Sequence, residues 1–422
     1  MYIGFISFVA CSKEEKPFNP PVITWLTPAN NASFTALDTV LIKASINHNQ
    51  NISLIKIRLK NSNGVPVLQI PDLNPNTGQY ELKREFILRK EDLSGPHYFE
   101  IEAYSDDQFS ASFRNINITP FPIRVDHTLF FSGNSVQTSV YTEKDGIFEQ
   151  LTTASGDILG TAVNQDARQI YFSGKYGGSL LAIEPSKGTE LWKFSKGSLP
   201  QVPNYNDLIQ SDEYVLASLE DGRLMGFTVT GSTYYESVLE NGFRPGKLHL
   251  HQGDQVVFQQ FDRSSGQSTI QVEYFPSTLE KGNAFFSFGN VVAIYSIDWN
   301  KVLLFSNASD GQYIFEYNTE DHSLTQLDKG NYGEFTAFCR IDENQLVMTR
   351  GTDIYSYYID QRQFLSLKSG YAPTCIRFNK VSLSLYCIEG IILRQIDPSS
   401  GTILGEQNMS KTMNSMEFMY NY

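Results

Sequence analysis

From Val22 onward, apolar and polar residues alternate along short runs, and clusters of Gly, Pro, Asn and Asp separate the runs. A period of two is the mark of half-buried β-strands, and no stretch shows helical spacing. Between residues 22 and 125 this pattern predicts strands at 22–26, 39–45, 52–59, 65–70, 80–88, 98–104 and 113–118. Turn signals fall between them, at Asn63-Gly64, Asn76-Thr77-Gly78 and Ser94-Gly95-Pro96.

From residue 126 to 422 the pattern repeats. Strand-like triplets end at Phe131, Phe172, Leu216, Phe258, Phe305, Met348 and Cys387, with gaps of 41, 44, 42, 47, 43 and 39 residues. Ile-Glu-Pro-Ser-Lys-Gly-Thr-Glu-Leu at 183–191 aligns without a gap with Ile-Asp-Pro-Ser-Ser-Gly-Thr-Ile-Leu at 396–404. In that turn, Pro fixes φ at the entrance and Gly188 or Gly401 supplies a positive φ at the exit. Several strands per unit, at a period of roughly 40–45 residues, predict a β-propeller. Seven triplets predict seven blades. The first unit lacks its first strand, and the C-terminal Ser415-Met-Glu-Phe-Met-Tyr has no blade of its own. The two are expected to pair beside each other and close the ring, which removes exposed strand edges.

Two resemblances follow from these residues. Seven short strands in about 100 residues resemble an immunoglobulin-like or fibronectin-like sandwich, without the antibody disulfide. His97-Tyr-Phe-Glu-Ile-Glu-Ala-Tyr-Ser-Asp-Asp is similar to the late strand of bacterial Ig-like modules. The stretch Gly178-Ser-Leu-Leu-Ala-Ile-Glu-Pro-Ser-Lys-Gly-Thr-Glu-Leu-Trp-Lys-Phe resembles the pyrroloquinoline-quinone-like propeller repeat, whose Trp packs between blades. Trp192 completes that motif once; the copy at Gly401 has no Trp.

The N-terminus resembles a bacterial lipoprotein signal. Residues 1–10 form an apolar run, too short to span a bilayer as a helix. Phe8-Val9-Ala10-Cys11 is similar to a lipobox, which implies lipidation of Cys11. No Lys or Arg precedes Cys11, which leaves the position of the start codon open. Ser12-Lys-Glu-Glu-Lys resembles the export signal of surface lipoproteins of the Bacteroidota, and it also reads as a plain solvated linker. The expected organisation is a signal peptide at 1–10, a lipidated tether at 11–21, an Ig-like sandwich at 22–125 and a seven-bladed propeller at 126–422. The fold class is all-β.

Composition narrows the function. Charged residues are 19% and the net charge is −13, which argues against a nucleic-acid partner. Chemistry-bearing patterns are sparse. His249-Leu-His251 places two imidazoles on one strand face, but no short-range Cys or carboxylate completes a metal set. Asp106 and Asp107 form either a solvated acidic turn or a calcium site. Cys339, Cys375 and Cys387 read as buried thiols, with a Cys375–Cys387 bridge across a hairpin as the alternative. The tracts Tyr234-Tyr235 and Tyr355-Ser-Tyr-Tyr read as blade packing or as stacking surfaces for sugars or peptides.

No catalytic residue, cofactor or metal is expected. The reading is an outer-membrane lipoprotein, exposed at the cell surface or facing the periplasm. Its propeller would bind a protein, peptide or glycan and would touch the membrane through its lipid alone. The alternatives are an enzyme acting on glycans or through a quinone, and a periplasmic scaffold for outer-membrane assembly.

Overall fold

The computed structural model describes residues 19–89, 93–105, 108–144, 146–195, 203–211, 213–331 and 333–421. The signal segment, Cys11 and the charged tether through Phe18 lie outside the described residues, as does the Asp106-Asp107 turn. The described residues contain strands and turns and no helix. The chain divides into two units, Met1–Pro122 and Ile123–Tyr422.

The first unit is built from two sheets. One carries Val22–Thr27, Thr39–Ile52 and Thr77–Ile87; the other carries Ala32–Thr35, Gln108–Thr119, Gly95–Ser105, Leu54–Asn61 and Pro66–Gln69, each in spatial order. Alternation decides which side of each sheet is buried. Val40, Ile42, Ala44 and Ile46 of one sheet face Ile55, Ile57, Leu59, Phe99 and Ile101 of the other in a single core. Phe86 meets Phe99 edge-on across the two sheets at 5.0 Å. The seven strands expected from the pattern are joined by an eighth, Ala32–Thr35, which runs parallel to Gln108–Thr119. A four-residue strand paired with a partner far along the chain leaves no local alternation to read.

Among the described residues, the second unit holds seven four-stranded antiparallel sheets. Six run in chain order, each starting with its innermost strand: Gly160–Asn164, Tyr205–Ser211, Phe243–His251, Asn290–Asp298, Phe335–Arg340 and Cys375–Asn379. The seventh is assembled from both ends of the unit. Its inner strand is Ser415–Tyr420, followed outward by Val125–Gly133, Gln137–Lys144 and Ile147–Ser155. Each inner strand lies against the next, and Ser415–Tyr420 touches both Cys375–Asn379 and Gly160–Asn164, so the cycle is closed. This is the arrangement of a β-propeller, and the end strands pair as the sequence pattern anticipates. Ser415 stands opposite Phe131, Met416 opposite Phe130 and Glu417 opposite Leu129.

The closure is packed with methionine. Four of the chain's seven Met residues, Met409, Met413, Met416 and Met419, are buried there. An unbranched thioether fills irregular gaps, which suits a joint between parts made far apart in sequence. Ile123 and Val125 pack into the same cluster.

The repeated Pro-Ser-x-Gly-Thr turn joins neighbouring sheets. Gly188 (φ +66°) and Gly401 (φ +69°) both adopt left-handed backbone. Both press against a leucine carbonyl on the outer strand of the preceding sheet. A Cβ on Gly188 would stand 2.9 Å from the Leu151 oxygen, and one on Gly401 only 1.8 Å from the Leu367 oxygen. Trp192, on the outer strand Glu190–Phe194, donates from Nε1 to the Val229 carbonyl at 3.0 Å. Its ring lies 5.7 Å from Phe227, and Gly231 covers its face. Val229, Phe227 and Gly231 belong to the following sheet and its turn, so this motif ties one sheet to the next.

Two outcomes are expected. Deleting residues 411–422 removes Met413, Met416, Phe418, Met419 and Tyr420 from the core. At about 1.5–3 kcal/mol per buried side chain, that loss approaches the whole stability of a typical domain. The truncated chain should aggregate or melt far below the full chain; an unchanged melting temperature would disprove the closure. Separately, Gly390→Ala meets open space and carries mainly the left-handed backbone penalty of about 1 kcal/mol. Gly401→Ala adds a forced shift against Leu367, for a total of about 2–5 kcal/mol. Equal melting temperatures for the two variants would refute the close approach.

Candidate functional site

Five consecutive inner strands enclose an open cavity of about 710 Å³ at the centre of the ring. That volume falls in the range of small-ligand sites. Much of the wall is apolar, including Leu208, Leu250, Val292, Ala293, Ala337 and Phe338. Against it stand Asp207, Lys247, His249, Tyr295, Cys339, Arg340 and Arg377. A β-strand places alternate residues on the axis, so each inner strand contributes only one or two such groups.

Most of the charge is paired. Lys247 Nζ donates to Asp207 Oδ1 at 2.6 Å, and the Leu248 amide donates to Asp207 Oδ2 at 3.1 Å. Arg377 grips Glu417 with two bonds, Nε to Oε2 at 3.1 Å and Nη2 to Oε1 at 2.7 Å. Thr161 also donates to Glu417 Oε1, at 2.6 Å. Burial works against the Arg377 charge, but Cys375 and Glu417 override it and hold the pKa well above the ordinary value. Arg340 differs. Its Nε, Nη1 and Nη2 donate to the carbonyls of Asp342, Ser296 and Glu343 at 2.9, 2.8 and 2.9 Å. No carboxylate pairs with it among the described residues.

The two histidines noted in the sequence join a chain of hydrogen bonds. His249 Nε2 lies 2.7 Å from Ser296 Oγ, which lies 2.8 Å from His251 Nδ1; His251 Nε2 lies 2.9 Å from the Trp299 carbonyl. A carbonyl only accepts, so His251 carries its proton on Nε2. Its Nδ1 then accepts from the Ser296 hydroxyl, and Ser296 Oγ accepts from His249 Nε2–H. Nδ1 of His249 is left as an unprotonated acceptor with no protein partner among the described residues. Burial first, then the His251 and Arg340 charges, push the His249 pKa down to about 4. Burial likewise lowers His251. Both imidazoles are therefore neutral at physiological pH, and no group of three metal-ligating side chains occurs among the described residues.

The other titratable groups are also at rest. Burial pushes the Cys339 thiol up to about 12 and raises Cys387 and Tyr295 further. Cys339, Cys375 and Cys387 are free thiols. Cys375 stands opposite Ile388 and Cys387 opposite Ile376, so the two cysteines occupy adjacent register positions and point to opposite faces of the sheet. Alternation explains why they form no bridge.

The residues singled out in the sequence are not brought together. Gly188, Trp192 and Gly401 lie in outer strands and turns, away from the cavity. Tyr235 is buried and donates to Glu273 at 2.8 Å, while Tyr234 stacks on Tyr214 at 4.7 Å. Tyr357 is buried in the packing beneath Phe364. Trp299 stands 65% exposed at the turn after Asn290–Asp298. Pattern reading passed over Asp207, Lys247, Tyr295, Arg340, Arg377 and Glu417. Each sits within the inner strand of its unit, but register shifts in four of those strands keep them from falling at one position of the repeat.

No family model and no curated protein matches the sequence. Among solved structures, the chain is similar to a quinoprotein alcohol dehydrogenase-like protein from Bacteroides thetaiotaomicron, at 11% identity and a TM-score of 0.42, over 93% of this chain and 97% of that one. A functionally unknown protein from Desulfotomaculum acetoxidans aligns at 13% identity and a TM-score of 0.49, over 69% of this chain and 98% of that one. BamB from Moraxella catarrhalis aligns at 10% identity and a TM-score of 0.40, over 69% of this chain and 91% of that one.

Proposed function

We propose that the chain is a lipid-anchored cell-envelope protein in which an immunoglobulin-like module carries a seven-bladed, quinoprotein-like propeller. The propeller acts as a binding platform for a protein, peptide or glycan and performs no chemistry of its own. The supporting observation is the state of the central cavity. Its charged side chains are held by carboxylates or carbonyls, the Cys339 thiol is held protonated, and His249 is held neutral with a pKa too low for a general base at neutral pH. A cavity of ligand size with apolar walls and a few fixed polar groups suits recognition. The exposed Trp299 beside an inner-strand turn is the kind of anchor that protein interfaces use. The net charge of −13 favours a partner that is neutral, basic or bridged by cations.

Anchoring rests on Cys11. Cys11→Ala should abolish metabolic labelling by palmitate and release the protein from the membrane fraction; labelling that persists would remove the anchor. Protease shaving of intact cells then separates surface from periplasmic exposure. The platform reading is tested by affinity capture with the chain from residue 20, followed by mass spectrometry, beside a turnover panel of glycans and alcohols. The expected result is a specific partner weakened by Trp299→Ala and no turnover. Turnover of any panel member, with no partner recovered, would overturn the platform.

A further inference from the structure

The central cavity has an unspent set of hydrogen-bonding groups. Arg340 uses three of its five N–H donors on backbone carbonyls and has no carboxylate beside it among the described residues. Arg377 likewise leaves part of its fork open after binding Glu417 and the Ile376 carbonyl. Tyr295 lines the cavity, and its hydroxyl has no hydrogen-bond partner among the described residues. Tyr295, Arg340 and Arg377 all line this one cavity. His249 adds one fixed acceptor, Nδ1.

The charges around the cavity do not cancel. Lys247 is matched by Asp207 and Arg377 by Glu417, which leaves Arg340 as a net positive charge. This local excess stands inside a chain of net charge −13. A cleft with low-dielectric walls concentrates such a field on its opening. The remaining wall is aliphatic and aromatic, with Leu208, Val292, Ala337 and Phe338 among its residues. Donors and positive charge at one part, with an apolar remainder, fit an anion carried on a compact apolar body. A guanidinium fork matches a carboxylate in geometry as well as in charge.

We propose that the central cavity binds a small organic carboxylate, with its carboxyl group held by Arg340 and the Tyr295 hydroxyl and its apolar body seated on the Leu208, Val292 and Phe338 walls. A hydroxyl or amide N–H on that ligand would be read by His249 Nδ1. The proposal rests on reading the ring as a binding module, and it names the ligand of the cavity rather than the macromolecular partner.

Calorimetric titration of the full chain with benzoate, phenylacetate and butyrate tests it, with benzyl alcohol, benzylamine and inorganic phosphate as comparators. Saturable binding is expected for the carboxylates, at least about tenfold weaker binding for the alcohol, and none for the amine. Arg340→Gln should weaken carboxylate binding by about tenfold or more. Because Arg340 also ties down the turn at Asp342 and Glu343, Thr336→Glu, at an exposed position of the cavity lining, serves as a second variant. It sets a carboxylate inside the cavity without touching that turn, and it should abolish binding while the melting temperature holds. No saturable binding of any carboxylate up to about 10 mM, equal affinity for acid and alcohol, or unaltered binding in both variants would overturn the site. Phosphate binding as tightly as the carboxylates would also overturn it and mark a simple anion site. Failure here leaves the platform reading intact, whereas turnover of a bound carboxylate sinks the platform reading and keeps the site.

Discussion

The ladder between Ser415–Tyr420 and Val125–Gly133 is the constraint on which the ring depends. Six sheets are local meanders that form from neighbouring chain. The seventh needs two segments at opposite ends of the unit, and until they meet, Val125–Gly133 presents an open edge and the sheets on either side an uncovered face. The loop entropy of that meeting is modest, because it grows only with the logarithm of length. The buried surface is large by comparison, and side-chain bonds secure both ends of the joint. Asn414 Oδ1 accepts from the Gly133 amide at 2.6 Å, and Asn421 Oδ1 accepts from the Arg124 amide at 2.8 Å. Gln165, from the neighbouring inner strand's turn, bonds both the Phe418 carbonyl and the Tyr420 amide.

The same strand shapes the central cavity's electrostatics. Glu417 lies in Ser415–Tyr420 and supplies the carboxylate that neutralises Arg377. Without closure, Arg377 would be a cation with no carboxylate beside it, and removing one member of such a pair is costlier than never having had it. Closure therefore sets the charge balance of the cavity as well as its wall. With Arg377 and Lys247 both matched, the excess charge falls on Arg340, and the three carbonyls that hold Arg340 come from the end of the inner strand Asn290–Asp298 and from its own turn. Fold and site share one determinant.

Much of the architecture was legible because it is written as period. The triplets ending at Phe131 through Cys387 mark the second strand of each sheet, and the Gly188 and Gly401 turns repeat because both must seat against a leucine carbonyl of the sheet before. The cavity was not legible, for a physical reason. Four inner strands carry register shifts, between Tyr205 and Asp207, Pro245 and Leu248, Val291 and Ala293, and Thr336 and Phe338. Each shift inserts a residue that reverses the alternation beyond it. Counting by twos from the strand start then assigns the wrong face, so Asp207, Tyr295 and Arg340 cannot be placed on the axis from sequence alone. The unbulged strand Cys375–Asn379 obeys the simple count, with Arg377 on the axis between buried Ile376 and half-buried Phe378.

The hydrogen-bond chain through Ser296 bears on selectivity. A serine hydroxyl bridging two imidazoles leaves the proton positions ambiguous until one end is anchored. The Trp299 carbonyl anchors it, and the direction of every bond back to His249 follows. His249 consequently presents an acceptor to the cavity while Tyr295 and the arginines present donors. A ligand with the opposite pattern would leave buried polar groups unpaired, at about 1–3 kcal/mol for each. Fixed complementarity of this kind discriminates by what a rejected ligand fails to satisfy, which is stronger than discrimination by size. The depressed His249 pKa has a role in this, because a protonated ring would turn its one acceptor into a donor and reverse the pattern at that position. Burial of the ring beside Arg340 keeps the acceptor an acceptor across the physiological range.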